Sequence, residues 1–313
     1  MPFDWPTPEQ MIYRVMRLRR LIVVAASLPV IIMLSVALLD PAVLSPERAT
    51  LAAIAVLALV VGHVVLFPNV TLETISLSIS VTLLVICVPW IKAVAHWAPE
   101  EHVTSALVIL VGFAVAATGV VMALMQIVLA ALAYAGPAVK LRLRTGLVIP
   151  CSPAVAFRQC ALQPQMRRGR VLTGPADDDG FFDVAVASHH VADPDHPDQP
   201  LIVRVDAKVL ASSPNRHDVM IALRNGSVTV TSQKFAVVKE GCRVDVSDLP
   251  GDFTLGMHLL FWLTDQQADN LTEMADVICG IADRANGLAH GVSFLSVAGA
   301  FLSPTEPIAD RAK

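Results

Sequence analysis

Four stretches of almost unbroken apolar residues fill the first half of the chain, near residues 21–39, 50–67, 74–96 and 104–134. Each supplies about the 20 apolar residues that a helix needs to cross a hydrocarbon core of roughly 30 Å. The breaks fall at "LDPAVLSPER", "FPNVTLET" and "HWAPEEH", where Pro, Asn and acidic residues end helices. The pattern predicts four membrane-spanning helices. The fourth run is long enough for about 46 Å of helix at 1.5 Å per residue, so it tilts or projects from the bilayer.

Few polar residues interrupt these runs. His63 lies near the inner end of the second span, Gln126 within the fourth, and Lys92 near the outer end of the third between Trp90 and Trp97. Lys92 reads as a snorkelling side chain in an aromatic belt, and Gln126 as an inter-helix hydrogen-bonding group. Pro29 and Pro89 are expected to kink their helices, which membrane bundles tolerate. No relay of acids and no matched pair of broken helices is present, which argues against a pump or secondary transporter.

From Lys140 the pattern changes. "GLVIPC" (146–151) reads as a short strand, with the alternating "VKLRLR" as a possible earlier start. In "SPAVAFRQCAL", Ser152 suits a helix cap and Pro153 the first turn, with Ala156, Phe157 and Cys160 on one face. "PQMRRGRVL" reads as a second short helix, ended by the turn "TGPADDDG". Six segments with alternating character follow: "GFFDVAVASHH", "PLIVRVDAKVLASS", "HDVMIALRN", "SVTVTSQKFAVVKE", "CRVDVSDL" and "DFTLGMHLLFWL". Turn signals at Asn225–Gly226, Glu240–Gly241 and Pro250–Asp252 separate several of them, which predicts an antiparallel sheet. One long amphipathic helix comes last. Thr264 and Gln267 form a capping box, and Ala268, Leu271, Met274, Ala275, Ile278, Ile281, Ala282, Ala285 and Leu288 make its apolar stripe.

Strand, two helices, six strands and a long helix, entered through "VIPCSPAVAF", resembles the SRPBCC superfamily. This is the helix-grip fold of START lipid-transfer domains and polyketide cyclases. The resemblance covers residues 146–290. It implies an α+β domain whose curved antiparallel sheet wraps the C-terminal helix around a deep apolar cavity. The expected fold class is therefore a four-helix transmembrane bundle plus a cytosolic helix-grip domain. The expected organisation is a basic N-terminus (1–20), a transmembrane domain (21–135), a basic linker (136–145), the SRPBCC-like domain (146–290) and a C-terminal tail (291–313). A four-span anchor is not a usual part of the family pattern.

Composition agrees with this division. The chain is 55% hydrophobic and 16% charged, with mean hydropathy +0.62, against about 25% charged in soluble domains. Residues 1–145 hold nine Lys/Arg and seven Asp/Glu; residues 146–313 hold fourteen and twenty, a net −6. That acidity argues against nucleic acid as a partner. Seven of the nine cations flank the apolar half: Arg14, Arg17, Arg19 and Arg20 before it, and Lys140, Arg142 and Arg144 after it. The first run is too long for a cleaved signal core and reads as a retained helix. The positive-inside rule then predicts a four-pass protein of the bacterial inner membrane with both termini cytoplasmic. Five scattered cysteines suit unpaired thiols in a reducing compartment.

The candidate chemistry is sparse. His189, His190 and His196, with Asp193 and Asp195, form the one local cluster that suggests a metal, but their Pro/Asp-rich surroundings favour an exposed loop. No metal or cofactor is expected. The expected inward set on the strands is apolar: Phe182, Val184 and Val186, then Val203, Val205 and Val209, then Val219, Ile221 and Leu223. Phe253, Leu255, Met257, Leu259 and Phe261 are expected on one face of the last strand, with His258 and Trp262 opposite. The candidate ligand-cavity residues are Phe182, Val184, Val203, Val205, Val219, Ile221, Leu255, Met257 and Leu259, with Met274 and Ile278 from the helix. Lys140, Arg142 and Arg144 are candidate headgroup contacts with the lipid bilayer.

Three functions fit. The first is a non-catalytic, membrane-anchored module binding an apolar small molecule such as a lipid, quinone or isoprenoid. The second is an accessory or scaffold subunit of a membrane protein complex, with the small-residue runs "AVAATG" and "AALAYAG" as close-contact sites. The third is an enzyme on a membrane-soluble substrate using Arg170, His258 or the 189–196 cluster. The apolar tail "GVSFLSVAGAFLSPTEP" (291–307) is expected to fold back and bury its aromatic and aliphatic residues.

Overall fold

The computed structural model describes residues 5–95, 102–168, 171–192, 199–222 and 226–281. The chain divides into two compact units, one of residues 11–133, the other of the residues from Tyr134 onward with the first ten.

In the first unit a short helix, α1 (Pro8–Arg17), precedes α2 (Arg19–Leu39), α3 (Pro46–Leu66), α4 (Thr71–Ala95) and α5 (Val103–Tyr134). The last four are long and apolar enough to cross a membrane, and they follow the four predicted runs closely. Local chemistry explains the small differences. Ser45 caps α3 by accepting from the Arg48 N–H at 3.4 Å, and Pro46 stands in the first turn, so α3 begins before its apolar run does. Similarly, α4 begins at Thr71 and takes Glu73 into its first turn.

Helices α2, α3 and α4 pack together. Along its first half α4 is enclosed on more than one side, and Thr74, Ser76, Ser78 and Thr82 are almost fully buried. Such residues let helix backbones approach closely. The hydroxyls of these four are satisfied locally or across the contact, whereas Ser80 Oγ, also buried, has no hydrogen-bond partner among the described residues. Ser76 donates to Leu72 O at 2.7 Å, Thr82 to Ser78 O at 2.8 Å, and Ser78 to Ala25 O on α2. By contrast, only 6% of the most apolar window of α5 is buried against the chain.

The second unit carries an eight-stranded antiparallel sheet, ordered β1-β8-β7-β6-β5-β4-β3-β2. Its strands are β1 (Leu143–Ile149), β2 (Arg167–Arg168), β3 (Val171–Thr173), β4 (Phe181–Ala192), β5 (Pro200–Ser213), β6 (Arg216–Ala222), β7 (Val228–Val238) and β8 (Gly241–Leu249). The strands from β2 to β8 form a continuous meander, and β1 closes onto β8. Helix α6 (Pro153–Cys160) follows β1, while α7 (Leu255–Thr264) and α8 (Gln266–Cys279) follow the sheet. This α+β arrangement fits a helix-grip domain behind an N-terminal helical region.

Three predicted elements are corrected. "PQMRRGRVL" is not a helix: it folds into β2 and β3, where Val171, Leu172 and Thr173 pair with Val186, Ala185 and Val184 of β4. Sheet pairing overrides a modest local helix preference. The predicted last strand is a helix instead. Thr254 caps α7, its Oγ1 accepting from the Met257 N–H at 3.1 Å. A run this apolar satisfies strand and helix periods alike, and the cap together with Leu- and Met-rich composition favours helix.

The single long helix is divided too. Asp265, at φ +48°, separates α7 from α8, and Gly280 at φ +63° ends α8. The expected capping box does not form. The Thr264 hydroxyl donates to Leu260 O at 2.9 Å, and Gln267 Nε2 donates to Asp248 Oδ2 at 2.7 Å. Leu223, Ala282, Ala285, Leu288 and the 291–307 tail lie outside the described residues.

Candidate functional site

The inner face of the sheet, the side α6 and α8 pack on, divides into two parts. Over β1, β8 and β7 it is filled. Ile149, Phe235, Val244 and Val246 meet Ala156 and Cys160 of α6 and Leu271 and Ala275 of α8, with Met274 and Ile278 packed alongside. Phe157 stands edge-on to Phe235, with ring centroids 5.3 Å apart. The amphipathic stripe of α8 therefore meets the sheet as its spacing predicts, and it places two of the candidate cavity residues against this core.

Over β4, β5 and β6 the face is apolar but less completely covered. Phe182, Val184, Ala207 and Val219 form its buried centre, ringed by half-buried Val186, Val205, Val209 and Ile221. Val203, opposite Val186 in the β4–β5 register, is 49% exposed. The described members of the predicted inward set thus share one face, but they differ widely in burial. On α7 the predicted face is reorganised by the helical period. Leu255 and Leu259, one turn apart, are 65% and 53% exposed, Met257 is half-buried, and His258 is buried.

Buried polar groups on this face mostly tie chain segments together. His217 Nε2 lies 2.8 Å from Leu162 O and its Nδ1 3.3 Å from Ser212 Oγ. Gln233 Nε2 donates to Cys160 O at 3.3 Å, and Thr173 Oγ1 to Gln163 O at 2.6 Å. Together they fasten the segment after α6 across the sheet. His258 does the same for the segment entering β1. Its Nε2 donates to Val139 O at 2.8 Å, while the Val139 N–H donates to Phe253 O at 2.8 Å. Each imidazole is therefore engaged in holding backbone.

Burial lowers the His217 pKa, opposed by its bond to Leu162 and the charge of Asp218. Burial also pushes the Cys160 thiol up to about 11. One carboxyl under α8 had no sequence signal beyond the "VDVSDL" alternation. Burial raises the Asp248 pKa against hydrogen bonds from Thr231 and Gln267, and its Oδ1 is buried without a hydrogen bond.

Asp193 and Asp195 of the predicted metal cluster lie outside the described residues. His189 and His190 belong to β4 by backbone, while His196 and Arg170 lie outside the described residues. No group of three or more His, Cys, Asp or Glu suited to a metal occurs among the described residues. Lys140, Arg142 and Arg144 are exposed, and Arg144 stands on β1 itself.

The first unit holds a constellation that hydropathy passed over. Glu73 Oε1 lies 3.0 Å from His63 Nε2, and His63 Nδ1 lies 3.1 Å from Thr74 Oγ1. Gln126 Nε2 of α5 donates to Glu73 Oε2 at 3.4 Å. Two residues beyond His63, Val65 O of α3 accepts from Arg14 of α1, which is buried. His63 and Gln126 were visible as isolated polar residues in apolar runs. Glu73 was hidden because it sits at the boundary between a loop and a span.

No family model matches the chain, and no curated protein matches it. Solved structures do match. A protein from Mesorhizobium loti is similar at 10% identity, covering 45% of this chain and 97% of its own, with a TM-score of 0.31. Ara h 8.0201 is similar at 15% identity over 45% of this chain and 98% of its own, with a TM-score of 0.32. The solution structure of the Aha1 dimer from Colwellia psychrerythraea is similar at 11% identity over 44% of this chain and 96% of its own, with a TM-score of 0.31.

Proposed function

We propose that this protein is a non-catalytic, membrane-anchored binding module that takes an apolar ligand of the lipid, quinone or isoprenoid class on the inner face of its sheet. The observation that carries this reading is the contrast within that face. The β1–β8–β7 part is filled by α6 and α8, whereas Val203 and the half-buried Val186, Val205, Val209 and Ile221 keep apolar surface accessible. Ligand sites are mostly apolar concavities with few polar groups, and the buried polar groups here are largely committed to backbone. The four apolar helices hold the domain at a bilayer, where such ligands concentrate. In this reading the membrane is the bacterial inner membrane, with both termini cytoplasmic.

The test is native mass spectrometry of the full chain purified in mild detergent, followed by titration with a fluorescent apolar probe. A co-purifying apolar molecule, and probe binding weakened by Val205→Trp, are expected. Absence of both bound ligand and probe binding would overturn the reading.

One observation favours a second reading, an accessory subunit of a membrane protein complex. Helix α5 leaves Ile109, Phe113, Ile127 and Leu132 each at least 66% exposed, a long apolar surface open to a partner helix as well as to lipid. Gentle solubilisation of native membranes followed by sizing tests it. Migration only as a monomer or homodimer would exclude it.

A further inference from the structure

The outer face of the sheet, turned away from α6 and α8, carries a groove of about 740 Å³ crossing β1, β8, β7 and β6. Five cations line it: Arg142, Arg144, Arg216, Lys234 and Arg243. Two carboxylates accompany them, Asp218 and Asp245, leaving the groove a net +3. Residues 140–313 as a whole hold seventeen Lys/Arg and twenty Asp/Glu, a net −3. The sign of the groove is thus opposite to that of the domain that bears it.

The cations are arranged as well as concentrated. Arg216 pairs with Asp218 at 2.8 Å and Arg243 with Asp245 at 2.9 Å, each two residues apart on one strand face. Asp218 also accepts from Ser232 Oγ at 2.6 Å. These carboxylates hold the two guanidinium groups along the sheet. The side chains of Arg142, Arg144 and Lys234 are exposed and carry no ion pair among the described residues. Gly146 pairs with Asp245 across β1 and β8, and a Cβ there would collide with Asp245 Oδ1. The glycine makes room for that carboxylate. With strands about 4.8 Å apart, the cations of β1, β8, β7 and β6 form a row of about 14 Å.

We propose that this groove docks on anionic phospholipid headgroups of the bilayer that holds α2 to α5. Arginine forks and lysine ammonium groups suit phosphate oxygens, and a row of cations matches a charged surface better than a single small anion. Reach supports the same occupant: the eight peptide steps from Tyr134 to Arg142 span at most about 29 Å when extended. The sequence pointed only to Lys140, Arg142 and Arg144; folding adds Arg216, Lys234 and Arg243 from three further strands. The inference rests on the four apolar helices lying in a membrane. It is independent of what occupies the inner face.

The experiment uses the full chain in nanodiscs of phosphatidylcholine alone or with phosphatidylglycerol, and acylation of lysines by a water-soluble reagent read by mass spectrometry. Lys234 should be labelled several times more slowly in the anionic discs. Lys239, exposed outside the groove, serves as reference and should not change. Salt near 1 M, where the Debye length is about 3 Å, should abolish the difference. The double variant R144Q/R243Q should lose the protection, since affinity for the anionic surface falls about fivefold per cation removed, while R144K/R243K keeps it. An unchanged circular-dichroism melt shows that the Gln variant remains folded.

Equal Lys234 labelling in both discs overturns the proposal and leaves the membrane reading intact. Failure of the chain to enter either disc overturns both. Equal protection by inorganic phosphate in phosphatidylcholine discs would identify a soluble anion site and overturn the lipid assignment.

Discussion

Glu73 on α4 lies 3.0 Å from His63 on α3, and each side chain is only 3% exposed. The pair joins two helices otherwise held by small hydroxyl and aliphatic residues, and Gln126 of α5 reaches the other carboxylate oxygen. A carboxyl group enclosed in this way has to be hydrogen-bonded, because burial without partners is costly.

Removing Glu73 should therefore destabilise the helical unit more than removing either partner. Glu73→Ala is expected to cost about 1–3 kcal/mol by leaving buried groups unsatisfied, and Gln126→Ala about 0.6 kcal/mol, the average for an inter-helix hydrogen bond. Thermal unfolding in detergent measures both. Equal and negligible losses would show that the cluster does not join the helices.

The corrected assignment of the last elements has its own consequence. Leu271 of α8 is 1% exposed in the core against β1, β8 and β7, whereas Leu255 of α7 is 65% exposed. Leu271→Ala should cost about 2–5 kcal/mol. Leu255→Ala should stay within about 0.5 kcal/mol of the parent. Chemical denaturation of the sheet domain within the full chain distinguishes them, and a large loss for Leu255 would restore its place in the fold's core.

Stability should fall with acidification in two stages. The His217 pKa is lowered in the fold, chiefly by burial. Its contribution is present above the ordinary value of 6.5 and is lost as pH drops from there through the lowered folded value. For Asp218, burial alone would raise the pKa, but hydrogen bonds from Arg216 and Ser232 outweigh it and hold the carboxyl below 3.8. Its contribution is lost as pH falls through that lowered value. His217→Gln should flatten the first stage and leave the second. A melting temperature independent of pH between 7 and 5 in the parent protein would contradict the first stage.

Asp248 should act in the opposite sense. Its folded pKa is raised above 3.8, mainly by burial, so its contribution is present at low pH and is lost as pH rises through the raised folded value. Asp248→Asn keeps an oxygen for Gln267 Nε2 and removes the charge. The variant should be more stable than the parent at pH 7, with the gain disappearing below about pH 3.8. Melts at the two pH values check this; a less stable variant at pH 7 would show that the ionised carboxyl is favoured there.

The four long helices were legible because each is a run of about 20 apolar residues in succession, the length that a hydrocarbon core would require. The strands β4 to β8 and the stripe of α8 were legible for a related reason: a buried face leaves its period in the sequence. Where apolarity was continuous or chain separation large, that signal failed. The "DFTLGMHLLFWL" run fits both periods, and Thr254 with the packing of His258 on Val139 decided for helix. Arg167 and Arg168 entered the sheet because Leu172 and Val171 bring them to its edge. Glu73 meets Gln126 across 53 residues, and cations of four strands converge on one outer groove. Hydropathy and periodicity describe what each segment buries against; which segments then meet is set by pairing and helix packing between residues far apart in the chain.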